Sequence, residues 1–189
     1  MFDDCSHCVT RRVTGIPQGR EYQRFTSWDP SQNPAMTPAV NRCREVASGK
    51  VWCAFLCGPY GLGKTFLAIA ALHEYGDGCF WKAPDLLDHI RRLAFDQDMG
   101  VDQALKPFRY GKGLLVLDDL GVEKRTEWAA EQLYRVLDTR SEEKLPTVIT
   151  TNADLGAIDG RLTSRYAEGM VICRGKDIRR KWAQEREGC

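Results

Sequence analysis

Apolar residues between Val51 and Cys173 are grouped in short runs, and the stretches between the runs have helical spacing. Each run is rich in β-branched or other apolar side chains and is too short for a core helix, which is typical of strands buried in a sheet. We therefore predict five strands, at Val51–Cys57, Cys79–Trp81, Leu114–Leu117, Thr147–Thr150 and Met170–Cys173.

Three of the intervening stretches have the pattern of helices. Lys64–Tyr75 is rich in Ala and Leu and is followed by Gly76-Asp77-Gly78, which ends it. Apolar residues recur at helical spacing from Leu86 to Ala94, and again from Ala129 to Leu137 after a candidate cap at Thr126. Strands that alternate with helices predict an α/β protein whose parallel sheet is covered on both faces.

The chain before this region has a different composition. Four prolines punctuate it, apolar runs are few, and a short helix is predicted only at Pro38–Ala47. We expect residues 1–48 to form an irregular N-terminal extension, wrapped on a core of residues 49–174. Residues 175–189 are expected to form a basic C-terminal tail.

Length and composition indicate one globular domain. The chain has 189 residues, of which 43% are hydrophobic and 28% charged, which suits one ordinary core but not two. The sequence has no run of the roughly eighteen apolar residues that a membrane helix requires, and Met1–Asp4 lacks the basic-then-apolar order of a signal peptide. We therefore expect a cytoplasmic protein with no membrane partner.

Positive charge is concentrated near the C-terminus, although the formal net charge of the chain is only +1. Such an end can contact phosphates, and it can equally be a solvated helix face, because short basic runs are common on protein surfaces. The residues are Arg161, Arg165, Arg174, Lys176, Arg179, Arg180, Lys181 and Arg186.

Eight cysteines raise the question of disulfides or bound metal. Cys5 and Cys8 have the C-x-x-C spacing of a metal knuckle, but no second close pair follows them, and a structural zinc site needs four ligands. We expect no stoichiometric zinc. Four other cysteines lie in strand-like apolar runs, where cysteine behaves as a small hydrophobe, so reduced thiols are expected. They are Cys53, Cys57, Cys79 and Cys173.

The segment Gly58–Thr65 fits the pattern G-x-x-x-x-G-K-[ST] between a predicted strand and a predicted helix. Glycines in this pattern let the backbone curl so that successive N–H groups point at phosphates, and the start of the helix adds its positive end. Lys64 would reach the β- and γ-phosphates, and the Thr65 hydroxyl would bind Mg²⁺. A plain glycine turn is disfavoured by the strand before the loop and the helix after it. The predicted nucleotide-binding residues are Gly58, Pro59, Tyr60, Gly61, Leu62, Gly63, Lys64 and Thr65.

Two later strands end in polar side chains. The run Leu114–Leu117 is followed by Asp118 and Asp119, at the edge of an open parallel sheet where ligands bind. Asp118 would hold Mg²⁺ and Asp119 would polarise the attacking water, although paired acids after a strand can also cap a turn. The polar end of Thr147–Asn152 would orient water or the γ-phosphate, or would simply form a turn.

Four segments in order resemble the AAA+ ATPases of the DnaC and IstB type, which are bacterial replicative helicase loaders and transposition helper ATPases. They are Gly58–Thr65, Leu114–Gly121, Thr147–Asn152 and Arg161–Gly169, and Tyr22–Thr26 is similar to the entry segment of those proteins. The likeness therefore covers nearly the whole chain.

This resemblance implies a three-layer P-loop fold with a five-stranded parallel sheet, and it implies roles for three residues. Asn152 would sense the γ-phosphate. Arg165, after a predicted helix at Asp154–Ser164, would be the arginine finger for an adjoining subunit, and Arg179 would do part of the work of a lid sensor. Only sixteen residues follow Cys173, so the helical lid of most AAA+ proteins is expected to be reduced or absent.

The resemblance also implies partners: a hexameric replicative DNA helicase, single-stranded DNA, and further copies of the chain when ATP is bound. We expect an ATPase of the helicase-loader type that uses ATP and Mg²⁺. Its predicted catalytic residues are Lys64, Asp119, Asn152 and Arg165. The alternatives are a transposition helper ATPase, a small-molecule P-loop kinase, and a nucleotide-gated adaptor that barely hydrolyses ATP.

Overall fold

A single parallel sheet forms the middle of the molecule in the computed structural model, which describes residues 13–121 and 126–178. The sheet has six strands in the order β1-β3-β4-β5-β2-β6, and every neighbouring pair is parallel. The strands are β1 Val13–Thr14, β2 Cys53–Cys57, β3 Gly78–Lys82, β4 Leu114–Asp118, β5 Thr147–Thr151 and β6 Met170–Ile172.

Helices connect most of these strands, as βαβ crossovers between parallel strands require. None of the helices in the described ranges has the length and apolar character needed to cross a membrane. The α-helices are α1 Thr37–Ala47, α2 Lys64–Tyr75, α3 Ala83–Arg91, α4 Val101–Tyr110, α5 Glu127–Glu142 and α6 Gly160–Arg165. A π-helical turn spans Arg92–Asp96, and 3₁₀ turns span Phe25–Ser27, Pro34–Met36, Leu155–Ala157 and Ala167–Gly169.

Alternate residues of the buried strands face two different layers of helices. In β2, the side chain of Phe55 belongs to a core cluster with α3, α4 and α5, whereas Ala54 and Leu56 belong to a second cluster with α1 and α2. Strands that are apolar on both faces are expected in a parallel sheet covered by helices. The predicted three-layer α/β class is therefore confirmed.

The prediction of five strands is wrong by one, because β1 comes from the N-terminal extension. Val13 and Thr14 pair with Gly78 and Cys79 at the start of β3. Two residues are too few to show an apolar–polar alternation, and the pairing partner is more than sixty residues away, so no local pattern marks this strand. The extension thus adds an edge strand to the sheet.

The rest of the described extension also packs on the core. The predicted helix at Pro38–Ala47 is confirmed as α1, and Met36 just before it is fully buried. The Trp28 ring lies 5.4 Å from the Phe66 ring of α2. The proposed division of the chain at residues 48 and 174 stays a prediction.

The four cysteines predicted to be reduced have free, buried thiols, and so does Cys43 in the same described part of the chain. Burial raises the pKa of Cys53 to about 11 and that of Cys57 to about 12, so these thiols stay protonated and behave as small apolar groups. Cys5 and Cys8 lie outside the described residues.

Candidate nucleotide-binding site

The loop Gly58–Thr65 joins the end of β2 to the start of α2. Gly61 and Gly63 have φ angles of +80° and +96°, in the left-handed region that favours glycine. Gly63 directly precedes α2, so the unpaired N–H groups of the first helical turn point into the loop. This geometry is that of a phosphate-binding loop, as the sequence predicts.

Lys64 lies over the mouth of this loop rather than in solvent. Its Nζ donates hydrogen bonds to the carbonyl oxygens of Gly58 and Pro59 and to Asn152 Oδ1, each at 2.7 Å. The residue is only 5% exposed. A buried ammonium that is held by carbonyl dipoles places a full positive charge where an anionic phosphate would bind.

The pairing of the parallel strands brings the predicted residues at the ends of β4 and β5 to the same edge of the sheet as the loop. β4, β5 and β2 are neighbours in the sheet, with Leu117 beside Ile149 and Thr151 beside Cys57. Their carboxyl ends therefore meet next to the loop, where open α/β sheets bind ligands.

Thr65 and Asp118 are in direct contact across this edge. Thr65 Oγ1 donates to Asp118 Oδ1 at 2.8 Å, and Thr150 Oγ1 donates to the same oxygen at 2.6 Å. Burial, as the largest cause, raises the pKa of Asp118 above its ordinary value, and these two hydrogen bonds oppose that rise. A carboxylate and a hydroxyl in contact are the oxygen ligands that Mg²⁺ takes, so the pair fits this ion.

Asp119 and Asn152 form the second contact of the site. Asn152 Nδ2 donates to Asp119 Oδ1 at 2.7 Å, while the Asp119 backbone N–H donates to Thr150 Oγ1 at 3.1 Å. Asp119 has a φ of +59°, which is uncommon for a residue other than glycine and occurs often at functional sites. Asn152 therefore links the carboxylate of Asp119 to the ammonium of Lys64.

Arg165 is not part of this cluster. It is the last residue of α6, and its guanidinium contacts Asp138 and Tyr134 of α5. The helix predicted at Asp154–Ser164 is also shorter than expected: a 3₁₀ turn comes first, and α6 begins at Gly160 after the Asp159 side chain caps it. Arg179 lies outside the described residues.

Residues from both ends of the described chain lie against the loop, and no motif in the sequence identifies them. A Cβ on Gly61 would lie 2.0 Å from the Asp177 carboxylate, and the Ile178 N–H donates to Gly61 O at 2.9 Å. A Cβ on Gly63 would lie 2.6 Å from the Trp28 ring. These residues lie in segments without a periodic pattern, so the sequence gives no indication that they lie beside a site.

Comparison with known proteins agrees with this geometry. A sequence model of the IstB-like ATP binding protein family matches residues 51–166, well over half of the chain. An ATP-binding protein in an insertion sequence of Mycobacterium tuberculosis is 28% identical over 138 residues, which is 68% of this chain and 52% of that protein. The replicative helicase loader DnaI of Bacillus subtilis is 26% identical over 142 residues, which is 71% of this chain and 44% of the loader.

The chain thus spans about half the length of these curated relatives. The crystal structure of the DnaC helicase loader superimposes with a TM-score of 0.68 at 24% identity, covering 82% of this chain and 99% of that one, which supports the fold. The resemblance to DnaC-type and IstB-type proteins is confirmed. The chain belongs to the IstB-like ATP-binding protein family.

Proposed function

We propose that this chain binds ATP with Mg²⁺ and hydrolyses it, and that it acts in the cytoplasm as a helicase-loader-like factor in DNA replication. The observation that carries the proposal is the hydrogen-bonded series Lys64–Asn152–Asp119 beside the loop. It joins a phosphate-binding cation to a carboxylate that can accept a proton from water.

The loop Gly58–Thr65 would hold the phosphates of ATP. Its backbone N–H groups and the start of α2 supply partial positive charge, and Lys64 would exchange the carbonyls of Gly58 and Pro59 for phosphate oxygens. Thr65 and Asp118 would hold Mg²⁺. When bound, Mg²⁺ supplies charge neutralisation on the phosphates.

Asp119 is proposed as the residue that orients and deprotonates the attacking water. Its carboxylate already accepts a hydrogen bond from Asn152, which fixes its position before a substrate arrives. Asn152 is also in contact with Lys64, so a change at the phosphates would reach Asp119 through one side chain. This arrangement supports the proposed role of Asn152 as the γ-phosphate sensor.

The remaining parts of the proposal involve other molecules. Arg165, about one third exposed on α6, would reach the nucleotide of an adjoining copy. Because the nucleotide would then contact two copies, ATP binding would favour assembly.

Single-stranded DNA would bind through phosphate contacts with the basic C-terminal end, which includes Arg174 and Lys176 and continues in the sequence with Arg179.

The partner is proposed from the relatives. A similarity to the replicative helicase loader of B. subtilis supports a hexameric replicative helicase. A transposition helper ATPase is the second candidate, because the family is described as IstB-like and another relative belongs to an insertion sequence. The small-molecule kinase alternative is less well supported, since Asp118 and Asp119 suit metal and water.

Two measurements test the proposal. Phosphate release from ATP should require Mg²⁺ and be lost in Lys64→Ala, whereas Lys106→Glu, a change on the exposed face of α4, should leave it unchanged. Affinity capture from the native host with ATP present should then recover the replicative helicase. Recovery of a transposase instead would favour the second candidate, and absence of Mg²⁺-dependent turnover would contradict both.

A further inference from the structure

One face of α5 carries a row of polar side chains opposite two arginines of α6. Tyr134, Asp138 and Glu142 are spaced four residues apart and so lie on the same side of the helix. Arg161 and Arg165 have the same spacing on α6. The Arg161 guanidinium lies 4.0 Å from the centre of the Tyr134 ring, and Arg165 lies further along the row.

Arg165 is held by one side of its guanidinium. Its Nε forms an ion pair with Asp138 Oδ1 at 2.5 Å, the shortest of its contacts, although the pair lacks the geometry of a hydrogen bond, and its Nη2 donates to the Tyr134 hydroxyl at 3.4 Å. Its Nη1 lies 3.9 Å from Glu142 Oε1, which is at the limit of an ion pair. The guanidinium is planar and rigid, so fixing Nε fixes the direction in which both terminal nitrogens point.

The two acidic residues differ in how firmly they can hold Arg165. The Asp138 side chain is 22% exposed and that of Glu142 is 60% exposed. An exposed ion pair at long distance restrains a side chain weakly, because water competes for both charges. Of the two acidic residues, Asp138 is therefore the better placed to restrain Arg165.

We propose that Asp138 is the positioning residue for Arg165, holding Nε so that the terminal nitrogens are presented to a nucleotide bound by an adjoining copy of the chain. The inference rests on the proposed function of Arg165 as an arginine finger. An arginine that is oriented beforehand loses less side-chain conformational entropy when it hydrogen-bonds to the nucleotide, so less of the interaction energy is spent on ordering it.

Mixed assemblies give a test that separates positioning from damage to the fold. Arg165→Ala chains keep Asp119 but cannot donate an arginine, whereas Asp119→Asn chains can donate Arg165 but lack the residue proposed to activate water. Each is expected to be inactive alone, and a mixture should recover turnover at the interfaces that join an intact Arg165 to an intact Asp119. Native mass spectrometry verifies that the two chains assemble together.

Asp138→Asn is then introduced into one chain of the mixture at a time. In the Asp119→Asn chain, which donates the arginine, it should lower turnover on the order of tenfold while KM for ATP stays within about twofold. In the Arg165→Ala chain, which receives the arginine, it should have no effect. Glu142→Gln in the donating chain is the matched control and should be silent, and Asp138→Glu should restore most of the loss.

The outcomes distinguish the positioning role of Asp138 from the finger role of Arg165. The positioning role would be overturned if Asp138→Asn lowered turnover equally in either chain, or if in the donating chain it raised turnover or left it unchanged. None of these results would contradict the finger role of Arg165. Failure of the parent mixture to recover, with wild-type chain active, would overturn the finger itself and the positioning role with it. If Asp138→Asn does not fold, Tyr134→Phe replaces it, with a smaller loss expected in the donating chain only.

Discussion

Lys64 and Asn152 are 88 positions apart in the sequence, and the Lys64 ammonium donates to the Asn152 side-chain oxygen at 2.7 Å. The contact joins the first turn of α2 to the end of β5. Since Asn152 also donates to Asp119, a change at any of the three side chains is expected to alter the other two.

Lys64→Ala and Asp119→Asn should separate binding from hydrolysis. The first removes the charge proposed to face the phosphates and should abolish tight ATP binding, while the second removes only the proposed proton acceptor and should keep that binding. Titration with a fluorescent ATP analogue, combined with phosphate release, measures both properties. Equal loss of binding in the two variants would refute the division of roles.

Asn152→Ala should reduce turnover more than affinity. The variant removes the link between Lys64 and Asp119 but leaves the loop intact, so we expect ATP affinity within about threefold of wild type and turnover lower by on the order of tenfold to a hundredfold. Asp154→Ala, an exposed change two residues later, is the control. A parallel fall in affinity would indicate that Asn152 only supports the loop.

Asp118→Asn should raise the stability of the nucleotide-free protein at neutral pH. Burial raises the pKa of Asp118 in the folded state, so the folded chain binds this proton more readily than the unfolded chain, and the charged form costs stability. The cost is present above the raised pKa and vanishes below the ordinary carboxyl pKa. Thermal midpoints of both proteins across that range should therefore converge at acidic pH, and a variant that is less stable at neutral pH would contradict this.

The same substitution should weaken Mg²⁺-dependent ATP binding. Replacing the Asp118 carboxylate removes the negatively charged oxygen beside Thr65 that we propose as a ligand of the ion. A gain in stability with a loss of function is the signature expected of a functional site. Titration with ATP at several Mg²⁺ concentrations measures it, and Mg²⁺ dependence that is unchanged would place the ion elsewhere.

Arg140→Met should destabilise the fold strongly. Arg140 is 1% exposed and donates to the carbonyls of Phe108, Gly111, Gly113 and Pro146 and to the Thr147 hydroxyl. Leaving these groups without a donor should cost about 3 kcal/mol or more of unfolding free energy. Urea denaturation measures it.

Arg109→Met is the matched control for that change. Arg109 is half-buried and donates one hydrogen bond, to Thr139, so its loss should cost about 1 kcal/mol. Similar costs for the two variants would show that the buried hydrogen bonds of Arg140 contribute little.

Single-stranded DNA should bind weakly and with a strong dependence on salt. Phosphate contacts release counterions, so the logarithm of the affinity should fall with the logarithm of the salt concentration by about 0.7 for each contact. Reversing the charges of Arg179, Arg180 and Lys181 should flatten that slope, whereas Lys106→Glu should not. Fluorescence anisotropy with a labelled oligonucleotide measures both, and an affinity that does not change with salt would contradict the prediction.

The sequence is sufficient to predict the parts of the site that local pattern determines. Gly58–Thr65 is contiguous, and the polar ends of β4 and β5 follow directly from apolar runs, so the meeting of Asp118 with Thr65 can be expected from a parallel sheet. α4 is absent from the prediction although it is ten residues long. Pro107 lies inside it, and a proline without an N–H is normally evidence against a helix.

Contacts between distant segments are not predictable in this way. β1, Trp28 and Asp177 contact partners that are distant in the sequence, and no pattern in their neighbouring residues indicates the contact. Asp138 illustrates the same limit, because its place on α5 follows from helical spacing but its pairing with Arg165 depends on how α6 returns to the sheet.

The contact of Ile178 with the loop has a mechanical consequence. Its N–H is hydrogen-bonded to Gly61 O at 2.9 Å, and its side chain is buried, so Ile178 is attached to the loop Gly58–Thr65. The next residues in the sequence are Arg179, Arg180 and Lys181. A displacement of Gly61 is therefore expected to move Ile178, because a hydrogen bond joins the two residues.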